Sequence, residues 1–432
     1  MRTYDLIQKK KEGLALTKEE IAFFVRGVTD GSIPDYQISA LLMAICLRGM
    51  NGEETATLTY EMMHSGDVVD LSVLGEGTVD KHSTGGVGDK TTLIVAPLAA
   101  ACGATVAKMS GRGLGFTGGT VDKMESVPGM RVSLSSDEFF RIAKNRRICV
   151  VGQSGSLAPA DKKLYALRDV TATIDSISLI ASSILSKKLA SGAKNIVLDV
   201  KYGSGAFMKT PEEAKRLAEE MVRIGTALGR RICAFITDMD EPLGYAVGNA
   251  SEVKEAVEVL SGRGEARLTE LCLALASRMV ALSLSLPAEE AEARVAEALS
   301  SGAGLRAMEG WFTAQGGDFS AVLQKDFAKA SCEEELLSPQ SGILSSVDAL
   351  GVGRASCLLG AGREKKEDII DPLAGVYLKK RRGDSVKKGE PIALLSCSDP
   401  ARLPAAKELL LSSFQIGAEP VPLRPTVYAI VE

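Results

Sequence analysis

Two short segments concentrate lysines, hydroxyls and glycines. The first reads Asp80-Lys81-His82-Ser83-Thr84-Gly85-Gly86-Val87-Gly88-Asp89. The second runs Lys108-Met109-Ser110-Gly111-Arg112-Gly113-Leu114-Gly115-Phe116-Thr117-Gly118-Gly119-Thr120-Val121-Asp122-Lys123-Met124-Glu125. A phosphate needs converging N–H and O–H donors with one or two cations. Glycines let backbone amides come close, and a helix N-terminus adds a favourable dipole. The first segment offers Lys81, Ser83 and Thr84, followed by Thr91 and Thr92 in the first turn of a helix. The second offers Lys108, Ser110 and Thr120. Neither is a Walker A loop. Residues 113–118 fit G-x-G-x-x-G by pattern but lack the following acidic ribose ligand, so two tight turns folded into one anion pocket is the better reading. His82 stands beside the first loop with an ordinary pKa near neutrality, suited to proton donation. Alternation along an extended segment puts Lys81 and Ser83 on one side and His82 on the other. Further on, Ser183 and Lys187 share a helical face, and with Arg168 they could serve a planar, carbonyl-bearing ring; alone, that triplet also fits a solvated helix face.

The elements that must carry these residues follow from periodicity. The first 65 residues read as helices only, with a capping box at Thr17-Lys18-Glu19-Glu20, Pro34 in the first turn of the next helix, and a third helix starting at Asn51. Strand–helix alternation follows: strands near 78–81, 105–109, 149–152, 195–200 and 231–237, helices over 93–102, 161–189, 211–228 and from 253 to about 314. That pattern predicts a mostly parallel sheet covered by helices. From about 338 the patterning becomes hairpin-like around 375–395. The expected fold is α/β: a small all-helical domain (1–66 with about 161–193), a large mostly parallel α/β domain (67–160 with about 194–335), and a C-terminal α+β domain (336–432).

A chain of 432 residues, 45% hydrophobic and 25% charged, is ordinary for a globular protein of two or three domains. A net charge of −4 and 5% aromatics argue against nucleic acid as a partner. Eight scattered cysteines without a C-x-x-C pair, no basic-then-apolar leader and no apolar run of bilayer length predict a cytoplasmic protein with reduced thiols and no membrane association.

The motifs Lys81-His82-Ser83-Thr84-Gly85-Gly86-Val87-Gly88-Asp89, Ser110-Gly111-Arg112-Gly113-Leu114, Gly118-Gly119-Thr120-Val121-Asp122-Lys123-Met124-Glu125, Tyr165-Ala166-Leu167-Arg168-Asp169-Val170-Thr171-Ala172-Thr173 and Asp199-Val200-Lys201-Tyr202-Gly203-Ser204-Gly205-Ala206-Phe207 closely resemble the thymidine and pyrimidine-nucleoside phosphorylases, over essentially the whole chain. The resemblance implies reversible phosphorolysis of a pyrimidine nucleoside (uridine, thymidine, deoxyuridine) to free base and α-(deoxy)ribose-1-phosphate, by a homodimer with inorganic phosphate as co-substrate and no organic cofactor. It implies phosphate ligands at Lys81, Ser83, Thr92, Lys108, Ser110 and Thr120. Base ligands map to His82, Arg168, Ser183 and Lys187, with His82, Arg168 and Lys187 catalytic. Lysine at 108 goes with the broader enzymes, methionine with thymidine-restricted ones. The resemblance also implies a K⁺ held by groups at Gly88, residue 90, Leu243, Ala246 and Glu255. Two positions depart from it: Phe116 replaces a histidine, and Lys90 replaces a threonine or a small residue. The Lys90 ammonium is expected to take the cation's position and pair with Glu255. The competing readings are a thymidine-restricted enzyme, chemistry like that of anthranilate phosphoribosyltransferase, and a non-catalytic nucleoside-binding paralogue.

Overall fold

The computed structural model describes residues 1–113, 118–363, 365, 367–422 and 424–432. Four helices come first: α1 (Thr3–Lys11), α2 (Lys18–Asp30), α3 (Asp35–Arg48) and α4 (Gly52–Met63). α2 starts at the expected capping box, with Thr17 accepting from the Glu20 amide and Glu20 accepting from the Thr17 amide. A second box, Asn51 with Glu54, starts α4. Pro34 precedes α3 by one residue instead of entering its first turn. The apolar faces of these helices, including Phe24, Ile38, Leu41 and Leu42, close on one another and take in Leu164 and Leu179 from later in the chain.

The α/β region runs β1 (Val79–Ser83), α5 (Thr91–Ala101), β2 (Val106–Ser110), α6 (Thr120–Glu125), α7 (Ser136–Arg146), β3 (Ile148–Gly152), α8 (Pro159–Val170), α9 (Ile177–Ala190), β4 (Asn195–Tyr202), α10 (Pro211–Ala227) and β5 (Arg231–Asp238). Strands β1, β4 and β5 lie parallel in that order, with Lys81 opposite Val197 and His82 opposite Leu198. β2 and β3 form a parallel pair, and a bridge from Thr105 to Thr78 joins it to the start of β1. Every residue of β4 is buried, as expected of a strand covered on both faces. α5 is buried along nearly its whole length, so its apolar composition fixes it in the core and holds its N-terminus still beside the first glycine loop.

The helix expected over 161–189 is two helices. Arg168, 2% exposed, donates from its guanidinium to the carbonyls of Thr173, Ile174 and Leu179. A side chain thereby satisfies the carbonyls of the break, which no periodicity reveals. The next helical stretch likewise divides, into α11 (Ala250–Leu260), α12 (Ala266–Leu284), α13 (Ala288–Ser300) and α14 (Ala303–Ala314), after a short strand β6 (Ala246–Gly248) and before α15 (Phe319–Val322).

The C-terminal region holds β7 (Cys332–Leu337), β8 (Gly342–Val347), α16 (Ala349–Ser356), β9 (Gly375–Leu378), β10 (Ser385–Val386), β11 (Pro391–Cys397), α17 (Leu403–Ser412), β12 (Phe414–Gly417) and β13 (Val427–Val431). The hairpin expected around 375–395 is present as β9 and β11, antiparallel with Leu378 opposite Ala393. One strand departs from the expected C-terminal unit: β13 crosses back and pairs antiparallel with β5, completing the sheet that carries β1. Among the described residues no helix is long and apolar enough to cross a membrane.

Candidate active site

The ends of β1 and β2 open into a cavity of about 200 Å³. Lys81, Ser83, Thr92, Lys108, Ser110 and Thr120 all line it, together with His82, Gln153 and Lys188. His82 therefore shares a cavity with Lys81 and Ser83 despite strand alternation, because the cavity wraps around the end of β1. The chain leaves β1 through Gly85, whose φ of +100° favours glycine, and its amide donates to Ser83 Oγ at 3.2 Å. α5 then begins at Thr91 and brings Thr92 in its first turn.

In the second loop, a Cβ on Gly119 would lie 2.2 Å from the Gly113 amide nitrogen, so only glycine fits. Asp122 accepts from that same amide at 2.7 Å. Lys123 stitches the two loops together, donating to Gly118 O at 3.0 Å and to Asp89 O at 3.2 Å. Residues 114–117, Phe116 among them, lie outside the described residues.

Two buried charge clusters flank β1. On one face, Lys81 Nζ sits 3.4 Å from Asp199 Oδ2 and 3.7 Å from Asp89 Oδ1. Burial works against the Lys81 charge, but Asp89 and Asp199 outweigh it and raise its pKa. On the other face, the fully buried Asp80 accepts from Lys108 Nζ and Lys188 Nζ, each at 2.9 Å. Burial would raise the Asp80 pKa, yet the two ammoniums bring it to about 2. Lys108 fares differently. Burial depresses it, Asp80 only partly compensates and Lys188 repels, so its pKa falls to about 7. One carboxylate shared by two ammoniums is amply stabilised, while each ammonium receives a share. Burial, then Lys188 and Lys108, push the His82 pKa well below its ordinary value, so the ring is neutral near pH 7.

Arg168, Ser183 and Lys187 lie outside this cavity. Lys187 Nζ is 2.7 Å from Asp161 Oδ2 and 3.4 Å from Ser183 Oγ. The Arg168 guanidinium and the Lys187 ammonium stand 6.0 and 5.9 Å from the centroid of the Tyr165 ring, which gathers α8 and α9 into one donor-bearing corner. The sequence reading missed Asp80, Lys188, Asp161 and Tyr165. Asp80 stands inside the first motif, and Tyr165 opens another, so both were in view; the faces turned by Lys188 and Asp161 depend on tertiary packing.

Lys90 is 1% exposed. Its Nζ donates to Leu243 O at 2.6 Å, Ala246 O at 2.9 Å and Glu255 Oε2 at 2.7 Å. Glu255 also accepts from the amides of Tyr245, at 2.6 Å, and Ala246, at 2.9 Å. A Cβ on Gly88 would fall 3.4 Å from the same ammonium. Leu243 O, Ala246 O and Glu255, three of the groups that the resemblance assigns to a potassium ion, are bonded to Lys90 Nζ. Among the described residues no group of three or more His, Cys, Asp or Glu side chains is placed to hold a metal.

Comparison with known proteins agrees along the chain. Residues 4–66 match the glycosyl transferase family helical bundle domain, residues 75–305 the glycosyl transferase family a/b domain, and residues 343–417 the pyrimidine nucleoside phosphorylase C-terminal domain. The chain is 53% identical over 430 residues to a pyrimidine-nucleoside phosphorylase of Geobacillus stearothermophilus, covering 99% of each. It is 53% identical over 397 residues to the enzyme of that name from Bacillus subtilis, covering 91% of this chain and 92% of the relative. Among solved structures, anthranilate phosphoribosyltransferase from Thermus thermophilus shares the fold, with a TM-score of 0.59 at 18% identity over 72% of this chain and 99% of the other.

Proposed function

The chain belongs to the pyrimidine-nucleoside phosphorylase family, and from that premise we propose that it catalyses reversible phosphorolysis of pyrimidine nucleosides to free base and α-(deoxy)ribose-1-phosphate. The observation that carries the reading is one cavity lined by two lysines from the expected phosphate set, four hydroxyls and glycine-loop amides at the N-terminus of α5. That donor set suits an oxyanion and offers no acidic pair for a magnesium-bound diphosphate, which disfavours phosphoribosyl transfer.

In the proposed reaction Lys81, Ser83, Thr92, Lys108, Ser110 and Thr120 hold the phosphate. One of its oxygens bonds to the anomeric carbon as the glycosidic C–N bond breaks, with inversion. The bonding pair leaves on the base, and the proton given up as hydrogenphosphate becomes the sugar-phosphate dianion ends on the base nitrogen, so atoms and charge balance. Arg168, Ser183 and Lys187 receive the pyrimidine. Arg168 has five N–H donors and uses its fork on three carbonyls. Lys187 is the more accessible cation, at 32% side-chain exposure. A cation and donors set in advance stabilise the anion where it develops. His82 takes part as a neutral N–H donor to the base carbonyl, since its depressed pKa disfavours an imidazolium acid.

Lys108 supports a broad substrate range, with uridine turned over beside thymidine and deoxyuridine. The deciding assay is phosphate-dependent base release from all three; good turnover of thymidine with none of uridine would establish the thymidine-restricted alternative. We assign Lys90 the place of a monovalent cation, so turnover should be indifferent to potassium. A homodimer is supported by Tyr36, Met43 and Leu47, which form one exposed apolar stripe along α3. A solution mass of about 45.5 kDa in light scattering, that of one chain, would reject it. Buried free thiols at Cys149, Cys233, Cys272 and Cys397 support a reducing, cytoplasmic setting; localisation of the tagged chain outside the cytoplasm would reject that.

A further inference from the structure

We propose that Asp80 is a positioning residue of this reaction, whose single carboxylate fixes Lys108 of the phosphate cavity and Lys188 of α9 together. The inference rests on the phosphorolytic reading above. Asp80 is fully buried in β1, one residue before Lys81. Its two oxygens are divided between two elements: Oδ1 takes the ammonium from β2, and Oδ2 takes the ammonium from α9. Each lysine is also tied to backbone, Lys108 to Lys81 O at 2.5 Å and Lys188 to Met109 O at 3.0 Å. α9 carries Ser183 and Lys187, so the helix that bears the base ligands is pinned through Lys188 to the strands that bear the phosphate ligands.

The cluster has one carboxylate for two ammoniums. A phosphate entering the cavity supplies the missing negative charge; both lysines line the cavity, and Lys108 belongs to the expected phosphate set. The charged or titratable groups that face the cluster are His82 and Lys81 from β1. Asp89 follows in the glycine loop, and Asp199 and Lys201 come from β4; these pair with Lys81 and with one another. Asp80 attracts the Lys108 charge and Lys188 repels it, so removing each should act on Lys108 with opposite sign. A merely structural role gives no such opposition.

The test follows KM for phosphate and kcat against pH in the wild type, Asp80→Asn and Lys188→Gln, with thermal unfolding recorded for each. In the wild type, phosphate affinity falls as pH rises through the Lys108 titration at about 7. Asp80→Asn removes the attraction, and this limb should move to lower pH by about one unit or more, raising KM for phosphate about fivefold or more at neutral pH. Lys188→Gln removes the repulsion, and the limb should move to higher pH. Limbs that coincide with the wild type, or move in the same direction, overturn the proposal. If Asp80→Asn does not fold, Lys188→Gln decides alone, and an unmoved limb overturns it. A wild type that releases no base with phosphate overturns the phosphorolytic reading instead, and the two failures are distinguishable.

Discussion

If Lys90 holds the place of a monovalent cation, Lys90→Ala should create a potassium requirement that the wild type lacks. The ammonium removed is buried and makes three short bonds, to Leu243 O, Ala246 O and Glu255. Truncating one partner of a buried ion pair costs about 3–5 kcal/mol, chiefly because the other charge is stranded. Glu255 keeps two backbone amides, which argues for the lower end, about 3 kcal/mol. Lys90 directly precedes α5, whose first turn carries Thr92, and Gly88 packs against the same oxygens. The loss should therefore fall on the phosphate loop. If all of it appears in the reaction, kcat/KM for phosphate drops by about a hundredfold. The vacated space is walled by two carbonyls and a carboxylate, hard oxygen ligands suited to a monovalent cation. Initial rates at varied phosphate, in potassium chloride and in choline chloride at equal ionic strength, read this directly. Potassium should restore most of the Lys90→Ala loss, should not restore Lys90→Met, whose side chain still fills the space, and should leave the wild type unchanged. Steep potassium activation of the wild type, or a Lys90→Ala enzyme fully active in choline, would refute the reasoning.

Gly119→Ala should raise KM for phosphate about tenfold or more while leaving the thermal midpoint close to wild type. Its Cβ collides with the backbone at residues 112 and 113, an overpacking cost of about 1–3 kcal/mol confined to one loop; an unchanged KM would show that the loop yields freely. Acid stability supplies a check on Asp80. Its carboxyl is depressed from 3.8 to about 2 in the folded chain, so the stability it contributes is present above about pH 4 and lost as pH falls towards about 2. The amount is about 2 kcal/mol. Chemical denaturation across that window should show a steeper decline for the wild type than for Asp80→Asn; equal slopes would count against the pairing. Arg168→Lys should lower both thermal stability and turnover, because a lysine cannot reach three carbonyls in the fork geometry of arginine. Full activity in that variant would remove Arg168 from the base site.

That the lysines and hydroxyls of the two glycine loops line one cavity was largely legible in the sequence, because the signals are local. Lysine, hydroxyl and glycine fall within a few residues of each strand end, and strand–helix alternation says which ends face one way. The rest of the site depends on packing. Lys187 and Lys188 are adjacent and chemically alike. Only the contact of α9 with β1 and β2 turns one towards Asp161 and the other towards Asp80. The break between α8 and α9 was hidden for a similar reason, since Arg168 satisfies carbonyls that a periodicity count assumes to be bonded within a helix. The three partners of Lys90 come from segments more than 150 positions away, so only a resemblance could name them beforehand.

The return of β13 to β5 has a consequence for synthesis. Until residues 427–431 have left the ribosome, the edge of β5 presents unpaired backbone groups on the sheet that carries β1. An apolar, open strand edge is a template for the wrong partner. The nascent α/β core must therefore wait, exposed, while the whole C-terminal region is translated, and slowed elongation or a stop codon before Val427 should favour intermolecular strand pairing and inclusion bodies.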